Sequence, residues 1–195
     1  MSLPISDKKT RPDIILIHGN PGTGKTTAAE KYCKMKGYKP IVFDVNNTNF
    51  TSMPNLDMDF SKNHLGIIRQ LTHWIPKIRP EGFDTIVFED IGNLIEKLTP
   101  KADKKNNFAH TQARATFVKD LMKCLNASGC NIIFLGQSDM IIKDYENKDD
   151  NESYSKPIVL INAIVNWAYY TYKPNETTFA WKCTKYRGKP GVLYE

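Results

Sequence analysis

The sequence predicts an α/β domain: a mostly parallel central sheet flanked by helices and finished by a C-terminal antiparallel hairpin. Three observations carry that expectation. Gly19-Asn20-Pro21-Gly22-Thr23-Gly24-Lys25-Thr26 fits the phosphate-binding pattern G-x-x-x-x-G-K-[ST] at every fixed position. Apolar runs at 14–17, 41–45, 84–90 and 131–137 alternate with helical patterns, as expected of parallel strands buried on both faces and joined by helices. Past residue 165 the alternation stops, and two aromatic-rich strand candidates follow one another directly.

In chain order, residues 1–12 read as an N-terminal tail and 13–195 as one domain. Ile14-Ile15-Leu16-Ile17 is the first strand; it runs into the glycine-rich loop, and a helix opens near Lys25 and continues through Cys33. Gly37 and Pro40 mark a turn before a second strand, Ile41 to Val45, followed by an irregular polar loop from Asn46 to Met58. Ser61 is the expected N-cap of a helix carrying Leu65, Ile68, Leu71 and Ile75, ended or kinked by Pro76 and Pro80. The third strand, Asp84 to Asp90, closes on two carboxylates and leads to a short helical piece, Ile91 to Leu98, and a lysine-rich segment to His110. Ala113, Phe117, Leu121 and Leu125 place a helix over 111–127, stopped by Gly129. Asn131 to Gln137 is the fourth strand. A charged loop then separates it from the apolar run Ile158 to Ile164. The terminal hairpin is expected to pair 165–173 with 177–185 through Pro174-Asn175-Glu176.

Composition narrows the function classes. The 195 residues carry a formal charge of +6, with 41% hydrophobic and 25% charged residues, ordinary values for one globular domain. No apolar run approaches the ~18 residues that span a bilayer, and the N-terminus lacks an apolar h-region, so a cytoplasmic protein with no membrane partner is expected. Cys33, Cys124, Cys130 and Cys183 form no C-x-x-C pair and read as free thiols. The positive balance suits a partner bearing phosphates.

The loop supplies that partner's chemistry. Gly22 and Gly24 permit backbone angles that let N–H groups close on an anion, and the helix N-terminus adds its dipole. Asn20, Pro21, Gly22, Thr23, Gly24, Lys25, Thr26 and Thr27 are therefore assigned to a nucleoside triphosphate, with Lys25 on the β- and γ-phosphates and the Thr26 hydroxyl on Mg²⁺. Hydrolysis also needs acids at a neighbouring strand end to hold the metal and orient water. Glu89 and Asp90 stand there as metal-binding and catalytic candidates, the division between them left open. Gln137 either touches the γ-phosphate and its water or satisfies a strand end. His18 reads as structural.

The segments 19–29, 84–94 and 131–137 together resemble the nucleotide motifs of phage-encoded P-loop ATPases of the RecA-like group, some of which are single-strand annealing recombinases. The resemblance implies a RecA-like P-loop NTPase that binds ATP and Mg²⁺ and works on single-stranded DNA. Lys185-Tyr186-Arg187-Gly188-Lys189-Pro190-Gly191 is similar to the K-x-R segment of DnaB-type helicases and RadA-type ATPases. Carried over, Lys185 and Arg187 become finger residues acting on the next subunit's ATP, which implies a homo-oligomeric ring or filament. Two departures stand out. Where RecA-type strands place a catalytic glutamate after the second strand, this chain has Asp44-Val45-Asn46, so the base is either absent or supplied by Asp90 and hydrolysis could be slow. The loop after Gln137 is acidic, with Asp144, Glu146, Asp149, Asp150 and Glu152, and repels phosphates. Lys97, Lys101, Lys104 and Lys105, with Phe108 for base stacking, are the alternative DNA contacts, or simply a solvated loop. A small-molecule P-loop kinase and a non-hydrolysing nucleotide switch or loader are the competing functions.

Overall fold

A computed structural model describes residues 12–47, 52–99, 107–137, 156–186 and 189–190. Seven strands form one sheet in the order β2-β3-β4-β1-β5-β6-β7. They are β1 (Ile14–Gly19), β2 (Pro40–Asp44), β3 (Thr85–Glu89), β4 (Asn131–Gln137), β5 (Trp167–Tyr172), β6 (Ala180–Tyr186) and the two-residue β7 (Lys189–Pro190). From β2 through β5 every pairing is parallel, whereas β5–β6 and β6–β7 are antiparallel. The predicted architecture is therefore the observed one.

Among the described residues, five helices cover the sheet: α1 (Lys25–Lys36), α2 (His64–Ile78), α3 (Ile91–Lys97), α4 (Asn107–Ser128) and α5 (Lys156–Ile164). Side chains alternate across each strand, and both faces are apolar. Ile15, Ile17, Val42, Val87, Ile133 and Leu135 pack with Ala28, Ala29, Tyr32 and Cys33 of α1. Leu16, Phe43, Phe88 and Phe134 meet the opposite layer, built from α2 to α5 around Ile67, Leu71, Leu94, Phe117, Leu121 and Ile161. Two-sided burial explains why these strands read as continuous apolar runs. All four cysteines are free thiols.

Several boundaries differ from expectation. Asn63, not Ser61, caps α2, its Oδ1 accepting from Gly66 N at 3.0 Å. Ser61 is held instead by Asp59, whose Oδ1 accepts from both its amide and its hydroxyl. Leu65 lies off the buried stripe of Ile67, Leu71, Ile75 and Ile78 and is 65% exposed, and the helix passes through Pro76 to Ile78. The run 158–164 is a helix, and α4 begins at Asn107. The terminal hairpin has a longer connection than the three residues expected, with β5 ending at Tyr172 and β6 starting at Ala180. Asn175 shapes that connection by accepting from the backbone N–H groups of Thr177 and Thr178 at 3.1 and 2.8 Å.

Candidate functional site

Strand order decides which side chains meet. At the carboxyl edge of the parallel strands, Gly19 of β1 lies beside Gln137 of β4 on one side and Thr171 of β5 on the other. Two strands further on, Asp44 of β2 is in register with Glu89 of β3. The phosphate loop thus emerges from the middle of a polar edge, as ligand sites of open α/β sheets do.

The loop itself is built by close contacts. Gly19 has no room for a side chain, since a Cβ there would collide with the Thr171 carbonyl and hydroxyl. The Thr171 hydroxyl donates to the His18 carbonyl at 3.2 Å and lies 2.9 Å from Thr23 Oγ1. Thr23 Oγ1 in turn reaches Asn20 O at 2.8 Å. Thr171 therefore braces the loop, a role that only cross-strand pairing reveals. Gly24 takes φ +80°, the left-handed conformation that begins α1. Asn20, Pro21, Gly22 and Thr27 are exposed along the loop, and Thr23 is buried beneath it.

Lys25 Nζ donates to Gly19 O at 3.1 Å and Asn20 O at 3.0 Å, so its ammonium already lies across the loop. Burial lowers its pKa, while the carboxylates of Asp90 and Glu89 oppose that shift. The Thr26 hydroxyl donates to Glu89 Oε1 at 2.8 Å and joins the loop to the acidic strand. Glu89 Oε2 is buried with no hydrogen-bond partner among the described residues. Burial raises the Glu89 pKa against the Thr26 hydrogen bond, and Asp44 and Asp90 push it up further.

Asp90 has a second duty that its sequence position did not disclose. Its Oδ1 accepts from Gly92 N at 2.7 Å and caps α3. Burial raises its pKa, with backbone hydrogen bonds from Gly92 and Asn93 acting the other way. Asp44 is also buried, its Oδ1 accepting from Asn46 N at 3.1 Å. Asp44 thus adds a third carboxylate to the strand edge that carries Glu89 and Asp90.

The Mg²⁺ implied by the motif fits this donor set. An orphaned carboxylate oxygen beside a threonine hydroxyl offers hard oxygen ligands to a small cation. No group of three or more His, Cys, Asp or Glu side chains among the described residues could hold a metal unaided. Magnesium bound mainly by substrate phosphates needs no such group.

The other candidates are distributed unevenly. Gln137 is exposed at the end of β4, adjacent to the loop. Lys185 Nζ donates to Asn162 O at 2.5 Å within the same chain, and burial lowers its pKa. Lys97 donates to Val45 O at 3.2 Å. Arg187, Lys101, Lys104, Lys105, the Phe108 side chain and the acidic loop after Gln137 lie outside the described residues.

His18 is fully buried as expected for a structural residue, 5.4 Å from the Tyr170 ring and with Nε2 3.5 Å from Thr184 Oγ1. Burial first, then Lys25 and Lys182, pull its pKa from 6.5 to about 4. A depressed folded-state value means that the stabilisation is complete above pH 6.5 and is lost as pH falls toward 4. About 3 kcal/mol of stability should disappear across that window. Urea titrations at successive pH values should show the loss in the parent protein and a shallower one in His18→Leu; parallel curves would refute the assignment.

A phosphate loop opening α1, an acid at the end of β3, and β4 inserted between their strands define a P-loop NTPase. The AAA-domain sequence profile matches residues 11–162, and the chain belongs to that family. Among solved structures it is similar to the ATPase domain of G40P, at 13% identity over 93% of this chain and 80% of that one, with a TM-score of 0.60. That likeness concerns the fold, the mostly parallel α/β sheet expected from the sequence. None of the curated proteins matches the chain. Among the described residues, no helix is long and apolar enough to cross a membrane.

Proposed function

We propose that this chain is an Mg²⁺-dependent ATPase that works as a homo-oligomer on single-stranded DNA, in phage recombination or replication. The observation that carries the ATPase reading is the 2.8 Å hydrogen bond from Thr26 to Glu89, with the second Glu89 oxygen left unpartnered. It joins the two halves of a metal–phosphate site. ATP is the substrate, its β- and γ-phosphates taken by the N–H groups of the loop and by Lys25. When bound, Mg²⁺ neutralises charge on the phosphates. Thr26 and Glu89 are its protein-side holders.

Asp90 is the residue assigned to the attacking water. It precedes α3 directly and its charge acts on Lys25 ahead of that of Glu89. Its cap to Gly92 holds the carboxylate in one orientation. Gln137, in register with Gly19, is assigned to the γ-phosphate end. These acids favour turnover over a non-hydrolysing switch.

Oligomeric action rests on the resemblance of the K-x-R segment. Lys185 is already engaged with Asn162, so the role across the subunit boundary falls to Arg187. Arg187→Ala should leave nucleotide affinity intact and lower turnover roughly 1,000-fold or more, the scale of an arginine finger. Unchanged turnover would remove the finger assignment. The DNA reading rests on the net charge of +6 and the motif resemblance.

The deciding experiment combines hydrolysis assays with and without single-stranded DNA with sizing in a non-hydrolysable ATP analogue. Nucleotide-dependent assembly, DNA-stimulated hydrolysis and a steep salt dependence of DNA binding are expected. Hydrolysis indifferent to DNA by a permanent monomer would overturn the DNA and assembly parts. Phosphate transfer to a small acceptor would indicate a kinase instead.

A further inference from the structure

The loop has two ends, and its contacts mark both. Thr26 points to Glu89, so the metal end faces β3. A triphosphate bound with its metal there must carry its nucleoside away from β3. Across β1 from β4 and β3 lies β5, and because β5 is parallel to β1, the 173–179 connection leaves the sheet at the edge from which the phosphate loop emerges. Phe179 ends that connection and lays its ring on the loop. A Cβ built on Gly24 would come within 2.9 Å of Phe179 Cδ1 and 3.3 Å of its Cγ.

Despite that contact, Phe179 is 55% exposed. It is also held in place. Lys173 Nζ lies 4.8 Å from its centroid, and the Asn175 hydrogen bonds to Thr177 and Thr178 shape the chain leading into it. An exposed phenyl group on a phosphate loop is a stacking surface with the phosphates' position already set beside it. Every nucleobase has a π-face, and the larger purine gains more from such a surface than a pyrimidine.

We propose that Phe179 is the nucleobase platform of this site and that the preferred ligand is a purine nucleoside triphosphate. This rests on the reading of the loop as a triphosphate site. Stacking on a preorganised ring adds affinity without the entropic cost of ordering it at binding. It does not distinguish adenine from guanine.

Calorimetric titrations with ATP, UTP and inorganic tripolyphosphate, each with Mg²⁺, test the assignment in the parent protein, Phe179→Ala and Phe179→Trp. The parent should bind ATP more tightly than UTP. Phe179→Ala should weaken ATP roughly tenfold or more, yet leave tripolyphosphate unchanged, and Phe179→Trp should retain ATP affinity. The proposal is overturned if Phe179→Ala binds ATP as tightly as the parent or more tightly, or loses ATP and tripolyphosphate alike. Should the parent bind neither compound, the triphosphate reading fails and the platform with it. Normal Lys25-dependent ATP binding with an indifferent Phe179 removes only the platform.

Discussion

Lys25→Ala should lower affinity for Mg²⁺-ATP by about 100-fold or more, to the point where calorimetric titration detects no saturable binding. The reason is geometric. The ammonium spans the loop by donating to Gly19 O and Asn20 O at 3.1 and 3.0 Å. It can exchange those carbonyls for phosphate oxygens with little reorganisation, gaining charge-assisted hydrogen bonds in a partly desolvated site. Alanine removes both the attraction and the positive charge that offsets Glu89 and Asp90. Those carboxylates would then face the incoming triphosphate uncompensated. Saturable binding of parental strength in Lys25→Ala would mean that the triphosphate sits elsewhere.

Glu89→Gln should reduce turnover roughly 100- to 1,000-fold while retaining much of the nucleotide affinity. Glutamine keeps the length of the side chain and an oxygen for the Thr26 hydroxyl, but it lacks the charge that holds a divalent cation. Nucleotide binding in the variant should therefore lose most of its dependence on Mg²⁺.

A second readout comes from stability. Burial holds the folded-state pKa of Glu89 above the ordinary carboxylate value, so its favourable contribution is present at low pH and is lost as pH rises through the raised pKa. A neutral glutamine escapes that loss, so the free variant should melt at a higher temperature than the parent near neutral pH. Greater stability with little activity is the pattern of a carboxylate kept for its ligand. A variant that melts earlier and still turns over would contradict both the geometry and the metal role.

Much of the fold was legible because two-sided burial leaves a plain imprint. Ile15, Leu16 and Ile17 of β1, or Ile132 to Leu135 of β4, are apolar throughout because neither face of the sheet meets water. The loop was legible for another reason. Its glycines and lysine act through positions along one short stretch of backbone, and covalent spacing alone brings them together. Cap chemistry was more easily misread. Ser61 and Asn63 are both good N-caps, and the choice fell to Asp59, which engages Ser61 and leaves Asn63 to start α2.

Across-sheet relations left less trace. Nothing near Thr171 in the chain shows that it lies under Gly19, because the parallel pairing of β5 with β1 joins segments far apart in sequence. Asp44 reads as a departure from a glutamate pattern, yet its register with Glu89 places it in the acidic edge. Lys185 reads as a hand extended to a neighbour, and its ammonium is occupied by the end of α5. Phe179 falls within the strand expected over 177–185. The longer connection after β5 releases it onto the phosphate loop.

The sequence by itself determined the phosphate loop, the acids that close β3, and the succession of strands and helices along the chain, since each depends on residue type and local spacing. Tertiary structure alone decided which side chains share the crevice: Glu89 against Thr26, Thr171 beneath Gly19, and Phe179 upon Gly24. The physical reason is that strand order and register arise from packing summed over both faces of the sheet, and no single segment of chain records that sum.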